Sequence, residues 1–187
     1  MSTIVLFTGG ARSGKSRRAE EYAARCGPGV VYLATGAAGD AEMAERIRRH
    51  RQQRPAGWTT IEAASSVAAA LRPLEPGSVV LLDCLSLLVS NLLLANERDP
   101  EPDIEAEITA LIAVAAERDL TLIVVSNEVG MGIVPEYPLG RAYRDLLGRR
   151  CDLLGGPAEQ VFLVVAGIPV ELRAIAAAWS NAAGEQT

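Results

Sequence analysis

The sequence predicts one α/β domain over residues 1–187, built on a mostly parallel central sheet. Short apolar runs rich in β-branched residues alternate with helical stretches, and several of these runs end in a glycine or a polar residue. The first run, Thr3 to Thr8, leads into a glycine-rich segment and then into a predicted helix from Lys15 to Cys26. Strands that alternate with helices are typical of a parallel sheet covered by helices.

The glycine-rich segment fits the phosphate-binding pattern G-x-x-x-x-G-K-[ST] at every fixed position. It reads Gly9-Gly10-Ala11-Arg12-Ser13-Gly14-Lys15-Ser16. Glycines let the backbone curl so that its N–H groups point at phosphate oxygens, and the start of the helix adds partial positive charge. We expect Lys15 to neutralise the β and γ phosphates and the Ser16 hydroxyl to bind Mg²⁺.

Composition limits the other classes of function. A net charge of −5 and an aromatic content of 4% provide neither a basic groove nor a stacking platform, so no nucleic-acid partner is expected. The apolar runs are shorter than the ~18 residues of a membrane span, and the first residues do not resemble a secretory signal, so we expect a cytoplasmic protein. The three cysteines are widely spaced, which favours reduced thiols over disulfides or a zinc site.

The second predicted strand, Val30 to Thr35, ends at Gly36. Ligands of open parallel sheets bind at the carboxyl ends of the strands, so Ala34, Thr35 and Gly36 are candidates for a second wall of the nucleotide site. An ordinary junction between strand and loop explains the same residues equally well.

A predicted helix from Ala41 to about Gln53 carries His50, the chain's only histidine, among five arginines between residues 46 and 54. Each feature alone has a structural explanation, since arginines commonly line a solvated helix face and a lone histidine is commonly a core or boundary residue. Arginine binds phosphate oxygens bidentately, however. The combination with a phosphate-binding loop makes His50 a candidate nucleophile toward a nucleotide phosphorus.

The run from Ser78 to Asp83 is apolar and closes on an acid, which is the pattern of a strand whose carboxylate holds Mg²⁺. Asp83 is therefore the second predicted metal ligand. A shorter strand from Trp58 ends at Glu62, either as plain polar termination or as a site residue.

The remaining elements follow in order. Helices are predicted for Ser65 to Leu71, Leu85 to about Asn96, Ile104 to Arg118, Leu139 to Leu154 and, weakly, Ala174 to Ala183; strands are predicted for Leu120 to Ser126, Gln160 to Ala166 and an edge piece through Leu172. The glycine-rich segment from Asn127 to Pro135 lies between a strand and a helix. It is either a loop that closes over a substrate or a connection without chemistry.

With these segments laid out, the chain resembles the bifunctional adenosylcobinamide kinase / adenosylcobinamide-phosphate guanylyltransferase family. The resemblance extends from Gly9 to about Leu172. It is carried by the string from Thr8 to Ser16, by Tyr32-Leu33-Ala34-Thr35, by Arg46 to Arg51 with Arg54-Pro55 and Trp58, by Leu81-Leu82-Asp83-Cys84 and above all by Asn127-Glu128-Val129-Gly130-Met131-Gly132-Ile133-Val134-Pro135.

The resemblance implies a P-loop NTPase (RecA-like) three-layer fold, a homotrimer and two reactions. The first phosphorylates adenosylcobinamide from ATP or GTP, and the second transfers GMP from GTP onto adenosylcobinamide phosphate. It also implies that His50 is guanylylated and that GTP is contacted by Gly9 to Ser16, by Ala34 to Gly36, by Arg51, Gln52, Gln53 and Arg54, by Glu62 and by Asp83.

Two other classes fit less well. A regulatory P-loop GTPase or ATPase switch would need motifs that are missing, because Asp83-Cys84-Leu85-Ser86 lacks the glycine of a D-x-x-G switch and Ser126 to Val129 is not an N-K-x-D guanine reader. A RecA-type motor on nucleic acid is disfavoured by the acidic charge.

Overall fold

The computed structural model of the chain describes residues 2–36, 55 and 57–177. Its strands are β1 (Thr3–Gly9), β2 (Val30–Ala34), β3 (Thr59–Glu62), β4 (Val79–Asp83), β5 (Thr121–Asn127), β6 (Gln160–Val165) and β7 (Ile168–Glu171). Its helices are α1 (Lys15–Cys26), α2 (Val67–Leu71), α3 (Leu85–Ala95), α4 (Glu101–Glu117) and α5 (Pro138–Gly155), followed by a 3₁₀ turn at Arg173–Ile175. The predicted helix from Ala41 to Gln53 lies outside the described residues.

The strands form one seven-stranded sheet in the order β3-β2-β4-β5-β1-β6-β7. All neighbouring pairs are parallel except β6 and β7, which form an antiparallel hairpin. The central register pairs Thr3 with Thr121 and Gly9 with Asn127, so β1 and β5 end together. The predicted α/β fold with a mostly parallel sheet is confirmed. Polar residues of the predicted site lie together at the carboxyl ends of its strands.

Two apolar clusters cover the two faces of this sheet. The side chains of successive β4 residues lie on opposite faces of the sheet. Leu82 packs in the cluster with α3, α4 and α5, whereas Leu81 packs in the cluster with α1. On α1, the small residues Ala19 and Ala23 lie four apart and are fully buried, so this helix can pack closely against the sheet. The result is the three-layer arrangement that the resemblance implied.

Two predicted elements differ from the structure by three residues or more. Helix α4 begins at Glu101 rather than at Ile104, because Pro102 is tolerated in the first turn of a helix, where its missing N–H has no partner to lose. The helix predicted from Ala174 is replaced by the 3₁₀ turn, after which Ala176 is extended; the rest of that predicted helix lies outside the described residues. None of the described helices is long and apolar enough to cross a membrane.

Helices α4 and α5 are joined by a buried arginine. The Arg150 side chain is 4% exposed, and its guanidinium lies 3.0 Å from Glu101 Oε1 and 3.2 Å from Glu105 Oε2. Arg149 reaches the same Glu101 oxygen at 2.9 Å, but its own side chain is 53% exposed. The two neighbouring arginines therefore make similar ion pairs in different surroundings.

We predict that Arg150→Ala lowers the free energy of unfolding by about 1–3 kcal/mol, since it removes buried contacts and charged hydrogen bonds. Arg149→Ala should lower it by only ~0–1 kcal/mol, because an exposed pair is screened by water. Urea unfolding followed by circular dichroism measures both values. Equal losses for the two variants would contradict the assigned role of Arg150.

Candidate nucleotide site

The predicted phosphate-binding segment forms a tight loop between β1 and α1. Ser13 N donates to Gly10 O at 3.2 Å, and Arg18 N donates to Gly14 O at 3.1 Å, which closes the first turn of α1. Lys15 is buried and folds its Nζ back to 3.2 Å from Gly10 O, so its charge lies over the loop. Gly9 to Ser16 therefore form one continuous loop at the carboxyl end of β1, with the form expected of a phosphate-binding segment, and we refer to it as the phosphate cradle.

Two positions of the cradle, Gly9 and Gly14, lie so close to neighbouring backbone that they leave little room for a side chain. A Cβ at Gly9 would lie 2.5 Å from the carbonyl oxygen of Val164 on β6. Gly14 has φ +92°, and a Cβ there would lie 3.3 Å from the Cα of Gly167. Side chains at either position would push the cradle away from β6 and from the turn that follows it.

The turn between β6 and β7 supports the cradle from one side. Gly167 N donates to Ser13 O at 2.8 Å, and Arg18 Nε donates to Gly167 O at 2.7 Å. Sequence reasoning missed this support. The short connection Ala166-Gly167 indicates a tight turn, but the sequence carries no signal of what that turn contacts.

The two predicted metal ligands lie together. Ser16 Oγ donates to Asp83 Oδ1 at 3.4 Å, which connects the start of α1 to the end of β4. Tyr32 OH, from β2, donates to Asp83 Oδ2 at 2.5 Å. A hydroxyl and a carboxylate oxygen are ligands that suit Mg²⁺, which usually takes few protein ligands and fills its remaining positions with phosphate oxygens and water. Tyr32 was not identified from the sequence as a site residue.

The residues predicted as a second wall, Ala34 to Gly36, also lie at the carboxyl end of the sheet, but farther from the cradle. Thr35 is buried, and its hydroxyl is occupied by the neighbouring strand, since it donates to Cys84 O and accepts from Cys84 N, both at 2.8 Å. Ala34 pairs with Asp83 on one side and with Glu62 on the other. Glu62 is four strand spacings from β1, or ~19 Å, so it lies beyond the phosphate cradle. The hydroxyl of Thr35 thus has a structural role, and nucleotide contacts by Ala34, Gly36 and Glu62 stay predictions.

The predicted nucleophile and its neighbours lie outside the described residues. These are His50, Arg51, Gln52, Gln53 and Arg54. Their role stays a prediction from the sequence.

Two titratable groups near Asp83, the Cys84 thiol and the Tyr143 hydroxyl, are neutral at physiological pH. Burial raises the pKa of the Cys84 thiol, whose Sγ lies 2.9 Å from Ser86 Oγ. Burial also raises the pKa of Tyr143 to about 12, and its OH donates to Ser86 O at 3.2 Å. Cys84 is therefore a buried core thiol, and Asp83 is the acidic side chain at the carboxyl end of β4.

A sequence model described as cobinamide kinase / cobinamide phosphate guanyltransferase matches residues 5–172 of the chain. The chain belongs to this family. The match covers the cradle, Asp83 and the segment after β5, so the resemblance drawn from the sequence is confirmed.

Two relatives of this family match nearly end to end. The "Bifunctional adenosylcobalamin biosynthesis protein CobU" of Escherichia coli is 42% identical over 91% of this chain and 99% of its own length. The "Bifunctional adenosylcobalamin biosynthesis protein CobP" of Pseudomonas aeruginosa is 45% identical over 90% of this chain and 96% of its own.

A solved structure supports the fold of the family member. An ATPase from the type III secretion system of pathogenic bacteria aligns with a TM-score of 0.56 at 10% identity. The alignment covers 87% of this chain and only 52% of that one, so the chain spans about half of that ATPase. At this identity the likeness shows the fold alone, and it agrees with the α/β fold expected from the sequence.

We predict that Gly9→Ala lowers the free energy of unfolding by about 1–3 kcal/mol, because its Cβ would overlap Val164 O and force the cradle to shift. Gly10→Ala is the matched control. A Cβ at Gly10 meets nothing within 4 Å, so its stability should stay within ~0.5 kcal/mol of the parent. Urea unfolding gives both values, and an unchanged stability in Gly9→Ala would show that the cradle is looser than described.

Proposed function

We propose that this protein phosphorylates adenosylcobinamide with ATP or GTP and then transfers GMP from GTP onto adenosylcobinamide phosphate. The observation that carries the proposal is the family match over residues 5–172, which includes an intact phosphate cradle with Asp83 beside it. A regulatory switch is not favoured, because the family and its named relatives are biosynthetic.

In the kinase step, the cradle would hold the triphosphate through backbone N–H groups, with Lys15 beside the β and γ phosphates. Ser16 and Asp83 would hold Mg²⁺, which neutralises charge on the phosphates when it is bound. Tyr32 keeps one oxygen of Asp83 occupied, so the carboxylate presents its other oxygen, Oδ1, toward Ser16. The hydroxyl oxygen of adenosylcobinamide would attack the γ-phosphorus and lose its proton, as the bond to the departing nucleoside diphosphate breaks.

In the guanylyl transfer step, a nitrogen of neutral His50 attacks the α-phosphorus of GTP. The P–N bond forms as the bond to pyrophosphate breaks, and Lys15, Arg51 and Arg54 would stabilise the charge on the leaving group. A phosphate oxygen of adenosylcobinamide phosphate then attacks the same phosphorus and releases the histidine. This proposal for His50 depends on the resemblance and on the arginine-rich sequence around it.

The same resemblance supports a homotrimer as the working assembly. A cytoplasmic location would give it access to ATP and GTP. Both statements are proposals that accompany the enzymatic one.

We predict that GTP labelled at the α-phosphate will transfer its labelled GMP group to the protein and release pyrophosphate, leaving an acid-labile, base-stable bond, as expected of a P–N linkage. His50→Ala should abolish the label and leave GTP binding measurable, because the cradle is intact. Lys15→Ala should abolish both the label and GTP binding, since the cradle then lacks the positive charge that faces the phosphates. A His50→Ala variant that still takes the label would overturn the assignment of the nucleophile.

The overall activity is tested by incubating the purified protein with cobinamide, ATP and GTP and analysing the corrinoid products by mass. The proposal expects a mass increase of one phosphate and then of one GMP. Recovery of unchanged cobinamide, from a protein that binds GTP, would contradict it.

A further inference from the structure

The segment between β5 and α5, residues 128–137, exposes an unusual amount of apolar surface. We refer to it as the β5–α5 loop. Met131 is 81% exposed, Ile133 96%, Val134 54% and Tyr137 64%. Several large apolar side chains exposed within one short segment are a common feature of binding surfaces.

Hydrogen bonds hold the backbone of this loop. Glu128 Oε1 accepts from the N–H groups of Gly130 at 2.6 Å and Met131 at 3.2 Å. From α5, Arg144 donates to Gly130 O, and Arg141 donates to the carbonyl oxygens of Pro135 and Glu136. These backbone groups of the loop are thus bonded within the chain, while the side chains of Met131, Ile133 and Tyr137 stay exposed. A surface organised before binding loses less entropy when a ligand arrives.

The loop begins directly beside the cradle, on the side of β1 that faces β4. Glu128 N donates to Gly9 O at 2.9 Å, at the point where β5 and β1 end together. Asp83 is at the end of β4, and β5 lies between β4 and β1. If Lys15, Ser16 and Asp83 hold the β and γ phosphates and their metal, as proposed above, that end of the nucleotide would lie over the end of β5. The β6–β7 turn supports the cradle from the opposite side of β1.

We propose that the β5–α5 loop binds the corrinoid substrate, with its apolar side chains against the methyl-bearing macrocycle. The proposal rests on the proposed function, which requires an acceptor hydroxyl within reach of the γ phosphate. A corrinoid is a broad ring system that carries many methyl groups, so it can cover several adjacent apolar side chains at once. The loop is the exposed apolar surface that begins at the terminal-phosphate side of the cradle, among the residues described.

The test compares Ile133→Ser and Met131→Gln with Leu94→Ser. Leu94 is 56% exposed on α3, and this helix starts next to Asp83 and runs ~14 Å away from the site edge before it reaches Leu94. Cobinamide binding is measured by equilibrium dialysis, using the visible absorption of the corrin, and GTP binding by calorimetry. Each loop variant should bind cobinamide roughly tenfold more weakly. GTP affinity should change less than about twofold in the loop variants, and Leu94→Ser should match the parent in both assays.

The outcomes separate this inference from the function on which it rests. A parent protein that binds GTP and not cobinamide overturns the proposed function itself. Cobinamide binding that is equal in the parent and both loop variants overturns the loop assignment and leaves the function standing. Sedimentation of the same variants tests whether another copy of the chain covers the loop instead. If the variants dissociate from an assembly that the parent forms, the loop is an interface between copies of the chain, and the proposal is wrong.

Discussion

The parallel pairing of β1 with β5 is the constraint on which the rest of the structure depends. The pairing runs without interruption from Thr3 and Thr121 to Gly9 and Asn127. The phosphate cradle begins where one strand ends, and the β5–α5 loop begins where its partner ends. A shift of this register by one residue would turn the side chains of a strand to the opposite face and separate the two segments. The position of the site is therefore a consequence of the sheet.

Buried polar contacts fix the neighbouring strand ends to one another. The Thr35 hydroxyl joins the end of β2 to the backbone of Cys84, and Tyr32 holds one oxygen of Asp83. Asn127 donates from its amide to Ser86 Oγ at 3.0 Å, which connects the end of β5 to the start of α3. Buried polar groups that are fully paired favour a single arrangement, because breaking any of them leaves an unsatisfied group away from water. The acid that would serve the metal is thus set in place before nucleotide binds.

The sequence predicted the fold well because its signals are local. The helix from Lys15 to Cys26 was predicted to the residue, since the P-loop motif fixes its start and Gly27 marks its end. The pairing of Ser16 with Asp83 was anticipated from two motifs that lie far apart in the chain. These signals depend on residue type and spacing, so they can be recognised without knowledge of tertiary contacts.

What the sequence could not predict is how segments distant in the chain contact one another. Tyr32 looks like any other residue of a buried strand, and only the register of β2 against β4 brings its hydroxyl to Asp83. The contact of Gly167 with Ser13 arises in the same way, from a hairpin that packs beside the cradle. The exposure of the apolar side chains after β5 is likewise visible only in the structure, because the sequence did not distinguish a loop that covers a substrate from a connection without chemistry.

We propose that one cradle, at the shared end of β1 and β5, holds the triphosphate for both reactions. A crystal structure with a GTP analogue that resists hydrolysis and with Mg²⁺ tests it most directly. The account predicts β and γ phosphates enclosed by the backbone of Gly10 to Ser16, with Lys15 alongside and the metal between Ser16 and Asp83, bound to the acid directly or through one water. Phosphates bound elsewhere, with this loop unoccupied, would contradict it.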